Sequence, residues 1–197
     1  MIQNPELSGD PIFWKAGPIG VLLMHGFTAT VAEVYPLAKR LHSAGFTVAA
    51  PLLPGHYTQP EELNRIKWRE WFNTVERSYE TITDHCRTVL VGGESAGGLL
   101  ALYLASFHKE IAALLLYAPA VRLKFKPVDK IKLFLLAPFV RWVPKQNTDN
   151  NPLWQGYRVY PLKGAIQLLK LQSEVMQRLP QIEQPVLVVR LARCVPA

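Results

Sequence analysis

Five residues, Gly-Glu-Ser-Ala-Gly at 93–97, form the part of this sequence best suited to chemistry. An apolar, strand-like run at 88–92 precedes them, and a helix-like run at 99–105 follows. A strand, a sharp Gly-x-Ser-x-Gly turn and a helix lift a serine hydroxyl clear of a sheet, and the helix N-terminus favours developing negative charge. The pattern therefore predicts Ser95 as a nucleophile. The alternative is a glycine-rich turn whose serine only caps the helix.

A second motif, Leu-Leu-Met-His-Gly-Phe-Thr at 22–28, lies at the end of another strand-like run. Attack of a serine on a carbonyl group creates an oxyanion, which two fixed backbone N–H groups stabilise well. The small Gly26 lets the backbone approach closely, so the amide of Phe27 is one candidate donor. The amide of Ala96, directly after the nucleophile, is the other. The two motifs together predict an oxyanion hole.

The residues of both motifs must be positioned by secondary structure, and strand-like and helix-like segments alternate along most of the chain. This alternation predicts an α/β fold with a mostly parallel sheet and helices on both faces. The predicted strands are 19–24, 46–50, 88–92, 111–117 and 185–189. The predicted helices are 33–44, 70–83, 97–107 and 161–179. Between 121 and 160 the alternation stops, and we expect a small helical cap inserted into one domain that spans 1–197.

Length and composition narrow the function classes further. A chain of 197 residues, 49% of them hydrophobic, is long enough to bury a sizeable core. Its longest apolar run, at 111–121, is too short to cross a membrane. The first residues lack the basic and apolar parts of a signal peptide, so we expect a cytoplasmic protein. Neither Cys86 nor Cys194 has metal-ligand spacing and the histidines do not cluster, so we expect no metal site.

The net charge of +7 is concentrated between residues 122 and 145, where seven basic residues stand against one acid, Asp129. One interpretation is a solvated face of the cap. Another is a basic, partly apolar lid that rests on an anionic or lipid surface. No reader motif accompanies the charge, so we expect no nucleic-acid partner.

Taken together, the motifs resemble the α/β-hydrolase superfamily, in particular the small carboxylesterases and monoacylglycerol-lipase-like serine hydrolases. The resembling segments are 23–28, 50–56, 68–71, 92–98, 117–119 and 185–189. The resemblance implies the α/β-hydrolase fold, a lid before the strand at 185–189, and hydrolysis of short- to medium-chain acyl esters through an acyl-Ser95 intermediate. It implies no cofactor. Thioesterases and peptidases share the same turn, and these alternatives stay open.

Apolar side chains of the cap are candidates for the wall that receives the acyl group of the ester. They are Phe134, Leu135, Leu136, Phe139 and Trp142. The alternative is that these residues only pack the cap.

The sequence departs from the family at its end. The family places the triad acid after the strand that corresponds to 185–189, and the histidine after one further strand. Here no acid follows Glu183 and no histidine follows His108, so we expect the C-terminal strand and helix of the fold to be missing. Only His25 and His56 follow strands at the edge where Ser95 emerges. They are the candidate surrogate bases, although each has the alternative role of holding its own loop.

Two further hypotheses follow from this departure. The chain is either a working esterase or a catalytically impaired α/β-hydrolase that binds a ligand or a partner. Its last apolar strand, at 185–189, is expected to be an unpaired sheet edge, and such edges pair readily with another chain. We therefore expect a homodimer formed through this edge.

Overall fold

The computed structural model describes residues 2–123, 126–145 and 151–190. The strands, in chain order, are β1 (Ile2–Gln3), β2 (Ile12–Trp14), β3 (Ile19–Met24), β4 (Thr47–Ala50), β5 (Thr88–Glu94), β6 (Ala113–Tyr117), β7 (Trp142–Pro144), β8 (Gly156–Tyr157), β9 (Val159–Pro161) and β10 (Val186–Val189). The α-helices are α1 (Tyr35–Ser43), α2 (Pro60–Leu63), α3 (Trp68–Thr83), α4 (Ala96–Ala105), α5 (Pro127–Leu136) and α6 (Leu162–Arg178).

The main sheet, within these residues, has six strands in the order β10-β6-β5-β3-β4-β2. Every neighbouring pair is parallel except β2 with β4. Parallel strands joined by helices produce the long apolar runs seen in the sequence, because both faces of the sheet are covered. The predicted mostly parallel sheet is confirmed.

The register of the three central strands places the functional motifs at one edge of the sheet. Met24 at the end of β3 pairs with Gly93 of β5, and Glu94 pairs with Tyr117 at the end of β6. The loops that follow β3, β5 and β6 therefore emerge side by side. His25, Ser95 and the turn after β6 share this edge.

Helices cover both faces of the sheet, as predicted. The helices α3, α4 and α6 pack against Leu22, Met24 and Val91 on one face, and residues before and within α1 pack against Val21 and Leu23 on the other. All ten residues of α4 are buried. Its uniform apolar character reflects this central place, since a helix with no solvent-facing side needs no polar stripe.

The cap differs from the expected helical insertion. Its described residues contain one α-helix of ten residues, α5, together with short strands: β7 pairs with β9, and β8 pairs with β1 near the N-terminus. A small separate core joins α5 to the start of α6 through Leu133, Ala137 and Leu162. The cap is thus attached to the N-terminal segment and to α6 as well as to the sheet.

The strand β10 lies at the outer edge of the described sheet. It pairs with β6 along one side, in the register Val186 to Leu114 through Val189 to Tyr117. Its four residues are between 43% and 56% exposed. The apolar edge predicted from the sequence is therefore present in the described part of the chain.

Candidate active site

The residue Ser95 joins β5 directly to α4 and has the strained backbone that its turn requires. Its φ of 52° and ψ of −106° lie where an L-residue pays about 1–3 kcal/mol. Residue 97 must be glycine because a Cβ there would collide with the carbonyl group of Met24 on the neighbouring strand. Glycine at this position therefore allows the first turn of α4 to pack directly against β3.

Backbone hydrogen bonds fix the turn on both sides. The Ser95 N–H donates to the carbonyl of Tyr117 at 3.0 Å, and the Ser95 carbonyl accepts from the N–H of Ala120 at 3.0 Å. Within the described residues, the Ser95 hydroxyl has no hydrogen-bond partner. The Ser95 hydroxyl is therefore available to contact a ligand.

The loop after β3 runs alongside Ser95. A Cβ built on Gly26 would lie 3.4 Å from the Cβ of Ser95. The Gly26 N–H is committed to the carboxylate of Glu33 at 2.6 Å, whereas the Phe27 N–H has no acceptor in the described part of the chain. Ala96 is the first residue of α4, where backbone N–H groups have no intrahelical acceptor. The two amides predicted as oxyanion donors thus flank the serine and are suited to that role.

The two candidate histidines are buried and held by the backbone. His25 Nε2 accepts from the N–H of Leu53 at 3.1 Å, and its Nδ1 lies 3.0 Å from the carbonyl oxygen of Gly26. Burial lowers the pKa of His25 to about 4. Both of its ring nitrogens are therefore engaged, which supports a role in joining the loops after β3 and β4.

The second histidine, His56, has one engaged and one free ring nitrogen. Its Nδ1 lies 3.1 Å and 3.2 Å from the carbonyl oxygens of Leu53 and Pro54, while Nε2 has no partner within the described residues. Its ring packs edge-on against His25 and Trp71. Burial, and to a smaller degree His25, holds the pKa of His56 well below its usual value. Neither histidine donates to or accepts from the Ser95 hydroxyl.

A partly buried cluster of charged groups lies beside these loops, and sequence reasoning did not bring its members together. It consists of Glu33, Glu94 and Lys145. Burial raises the pKa of Glu33 to about 7, with a further contribution from Glu94, while Gly26 and Lys145 act in the opposite direction. Burial also raises the pKa of Glu94 and lowers that of Lys145 to about 8. Three ionisable groups with perturbed pKa values next to a candidate nucleophile are typical of a functional site.

A cavity of about 430 Å³ opens at Ser95. It is lined by Phe27, Ser95, Leu123, Leu133, Val143, Lys145, Tyr160, Leu162, Ala165 and Leu168. Its wall is mostly apolar, with the Ser95 hydroxyl and the Lys145 amine as polar groups. A cavity of this kind suits the acyl part of an ester.

The predicted acyl wall needs a correction, because the structure places Phe134, Phe139 and Trp142 outside this cavity. Phe134 and Phe139 are 51% and 86% exposed, and the Trp142 indole donates to Glu61 at 3.0 Å. The inward side of α5 is occupied by Leu133 instead. Neighbouring helix residues point about 100° apart, so Phe134 cannot share that direction.

Comparison with known proteins identifies the family. Residues 19–155 match the family described as Serine aminopeptidase, S33. The chain belongs to this family. Over 190 residues it is 34% identical to a thermostable monoacylglycerol lipase of Bacillus sp. (strain H-257), and the match covers 94% of this chain and 75% of that relative. A carboxylesterase of Bacillus subtilis (strain 168) is 36% identical over 95 residues, which are 48% of this chain and 39% of that relative.

Solved structures of lipolytic enzymes share the fold of this S33 family member. One, from a study of the metagenome-derived lipolytic enzymes LipS and LipT, matches with a TM-score of 0.84 at 26% identity, over 92% of this chain and 75% of that chain. A soluble variant of the monoglyceride lipase of Saccharomyces cerevisiae matches in fold with a TM-score of 0.71 at 18% identity, over 91% and 72%. The predicted α/β-hydrolase fold is confirmed, and the protein is an ester hydrolase.

Two further observations concern the described part of this S33 family member. No helix there combines the length and apolar character that crossing a membrane requires. Nor do its His, Cys, Asp and Glu side chains gather into a group that could hold a metal ion.

Proposed function

We propose that this protein is a serine carboxylesterase for short- to medium-chain acyl esters, with Ser95 as the nucleophile and the amides of Phe27 and Ala96 as the oxyanion hole. The observation that carries the proposal is the strained turn at Ser95, whose hydroxyl lines an apolar cavity next to the uncommitted Phe27 N–H. Strain of this kind persists at functional sites because the surrounding structure maintains it.

The reaction proceeds in two halves. The Ser95 oxygen bonds to the ester carbonyl carbon as its proton leaves, and the two amides hold the resulting oxyanion. The bond from the carbonyl carbon to the alcohol oxygen then breaks, and the alcohol departs with a proton. Water adds to the acyl-Ser95 ester in the same way, which releases the carboxylic acid and restores the serine hydroxyl.

The size and lining of the cavity support the substrate class. Small-molecule sites are roughly 300–1,000 Å³, so a cavity of about 430 Å³ suits a short or medium acyl chain. Leu133, Leu162 and Leu168 supply apolar surface for that chain. The names of the Bacillus relatives, a monoacylglycerol lipase and a carboxylesterase, favour a small ester of this kind.

For the proton of Ser95, His56 is the better of the two predicted surrogate bases, because it alone keeps a free ring nitrogen. Its low pKa makes it a weak base, so we expect slow proton transfer. Water is the alternative acceptor. An oxyanion hole and substrate binding alone retain substantial catalysis when a triad member is absent.

The test is hydrolysis of p-nitrophenyl butyrate by the chain and by Ser95→Ala, together with mass detection of a phosphonate adduct. Ser78→Ala is the matched control, because Ser78 lies on α3 and donates to the Thr74 carbonyl. We expect the adduct on Ser95 and loss of turnover only in Ser95→Ala. Absence of both turnover and adduct in the unmodified chain would favour the binding-protein alternative.

We also propose that the cap contacts lipid surfaces. Its residues Ile131, Leu135 and Phe139 are 59%, 67% and 86% exposed, and Lys130 and Lys132 lie among them. Exposed apolar side chains beside basic ones favour an anionic membrane surface. Co-sedimentation with phosphatidylglycerol vesicles tests this. Binding at low salt should be absent with phosphatidylcholine vesicles, and binding to both would contradict the electrostatic part.

The exposed edge of β10 supports a second assembly proposal, a homodimer joined through this strand. Unpaired apolar edges add a strand from another chain readily. Light scattering across a concentration series tests it, and a monomer at the highest concentration would rule it out.

A further inference from the structure

We propose that Glu33 and Lys145 are positioning residues, which hold the Phe27 N–H in the oxyanion hole by fixing Gly26 and Thr28 on either side of it. The inference rests on the proposed role of Phe27 as an oxyanion donor. It extends that role to two charged side chains that lie outside the serine turn.

Each neighbour of Phe27 binds one of these charged groups. The Gly26 N–H donates to Glu33 Oε2 at 2.6 Å, and Lys145 Nζ donates to Thr28 Oγ1 at 2.7 Å. Hydrogen bonds that involve a charged group are shorter and about twice as strong as neutral ones. The residues on either side of Phe27 are therefore both held, Gly26 through its backbone N–H and Thr28 through its side-chain hydroxyl.

Residue 28 needs such support because its backbone is strained. Thr28 has a φ of 69°, in the left-handed region that a β-branched residue rarely adopts. Besides the contact with Lys145, the Thr28 carbonyl accepts from the Tyr157 N–H at 2.8 Å. Without these contacts the strain favours a return to an ordinary backbone conformation, which would turn the adjoining Phe27 peptide.

The two charged groups are themselves fixed by the cap. Glu33 Oε1 accepts from the Trp154 indole N–H at 2.8 Å. Lys145 Nζ lies 4.6 Å above the Trp154 ring and 5.0 Å above the Tyr160 ring, within range of a cation–π interaction. The cluster thus joins the loop after β3 and the adjoining turn at 31–33 to the cap, which is remote from both in sequence.

Such positioning matters because oxyanion donors act over a narrow range. They must lie about 2.7–3.1 Å from the place that the oxyanion will occupy. A displacement of about 1 Å costs roughly a hundredfold in rate. The Glu33 carboxylate alone would oppose the forming negative charge, and the Lys145 ammonium in the cavity wall offsets it. Both members of the pair are therefore required.

The kinetic test compares Glu33→Gln and Lys145→Met with matched controls. Glu183→Gln and Lys109→Met remove the partners of an exposed pair, 3.3 Å apart, that is remote from the site. We expect kcat for p-nitrophenyl butyrate to fall about 10- to 100-fold in the two site variants, with KM changed less than about twofold. The double variant should lose less than the product of the single losses, because both residues hold the same segment. Unchanged kcat in either site variant would overturn the proposal.

A second measurement does not depend on turnover. In nitrogen-15 NMR spectra, the Trp154 indole N–H, assigned with Trp154→Phe, should titrate near pH 7 with Glu33, whose charged neighbours are Glu94 and Lys145. The Phe27 amide should follow the same titration, and both changes should vanish in Glu33→Gln. If the indole responds and the Phe27 amide does not, the positioning proposal is wrong even if Ser95 is the nucleophile. Lack of hydrolysis with a responsive Phe27 amide would instead contradict only the proposed function.

Discussion

The partly buried carboxyl group of Glu33 makes the stability of the fold depend on pH in a predictable direction. Its pKa is about 7 in the folded protein against an ordinary 4.5, chiefly because burial disfavours the charged form. The folded state therefore binds this proton more tightly than the unfolded state does. It follows that stability contributed by this group is full below pH 4.5 and is lost as pH rises through about 7.

The size of the effect follows from the same values. A difference of about 2.5 in pKa, at about 1.4 kcal/mol each, corresponds to roughly 3 kcal/mol. Glu94 and Lys145 face Glu33, and part of the titration is shared with Glu94. A variant without the Glu33 carboxyl group therefore loses both the titration of Glu33 and its interaction with Glu94.

The assay is urea unfolding of the chain and of Glu33→Gln at intervals from pH 4.5 to pH 8. The variant loses the titrating group and shifts stability by a constant amount through its altered hydrogen bonds. The difference in unfolding free energy, unmodified chain minus variant, should therefore fall by about 3 kcal/mol over this range. A flat difference for Glu33→Gln would refute the assignment of a buried, proton-binding carboxyl group.

Four other predictions test separate parts of the structure. Gly97→Ala should lower the unfolding free energy by about 1–3 kcal/mol in urea titrations, because its Cβ meets the Met24 carbonyl. Leu168→Phe should narrow the cavity and lower kcat/KM for p-nitrophenyl octanoate about tenfold relative to the butyrate, and an unchanged ratio would place the acyl chain elsewhere. His56→Gln should lower kcat about a hundredfold if its free nitrogen accepts the Ser95 proton, whereas full activity would leave water as the acceptor. Leu187→Lys should keep the chain monomeric in light scattering, because it charges the exposed edge of β10.

The parts of the fold that could be predicted are those encoded locally. The strand that precedes Ser95 is an unbroken apolar run, and the glycines at 93 and 97 mark the turn, so β5, the turn and α4 follow from neighbouring residues. The helix α3 lies where a helix at 70–83 is predicted, and it buries a stripe formed by Trp71, Val75, Tyr79 and Ile82. Periodicity of this kind survives in a single sequence because each face of the element meets one environment.

The parts that could not be predicted depend on contacts between distant segments. Glu33 and Lys145 resemble ordinary surface charges in the sequence, and only folding brings them into one partly buried cluster. The strands β7, β8 and β9 have two or three residues each, too few for a pattern to appear. Apolar residues of α5 lie on several faces, so the sequence alone does not show that Leu133 is the one that packs toward α6 and lines the cavity.

The pairing of β1 with β8 sets an order of events during synthesis of the chain. Ile2 pairs with Tyr157, and Gln155 binds the carbonyls of Asn4 and Leu7, so the partners of residues 2–7 are made only some 150 residues later. At about 5–20 residues per second, the ribosome needs roughly 8–30 s to deliver those partners. The carbonyl of the strained Thr28 likewise gains its hydrogen bond only after Tyr157 has been made. The strands β2 to β6 are therefore made well before the loop beside Ser95 acquires its final shape, whereas α6 and β10 are made after Tyr157.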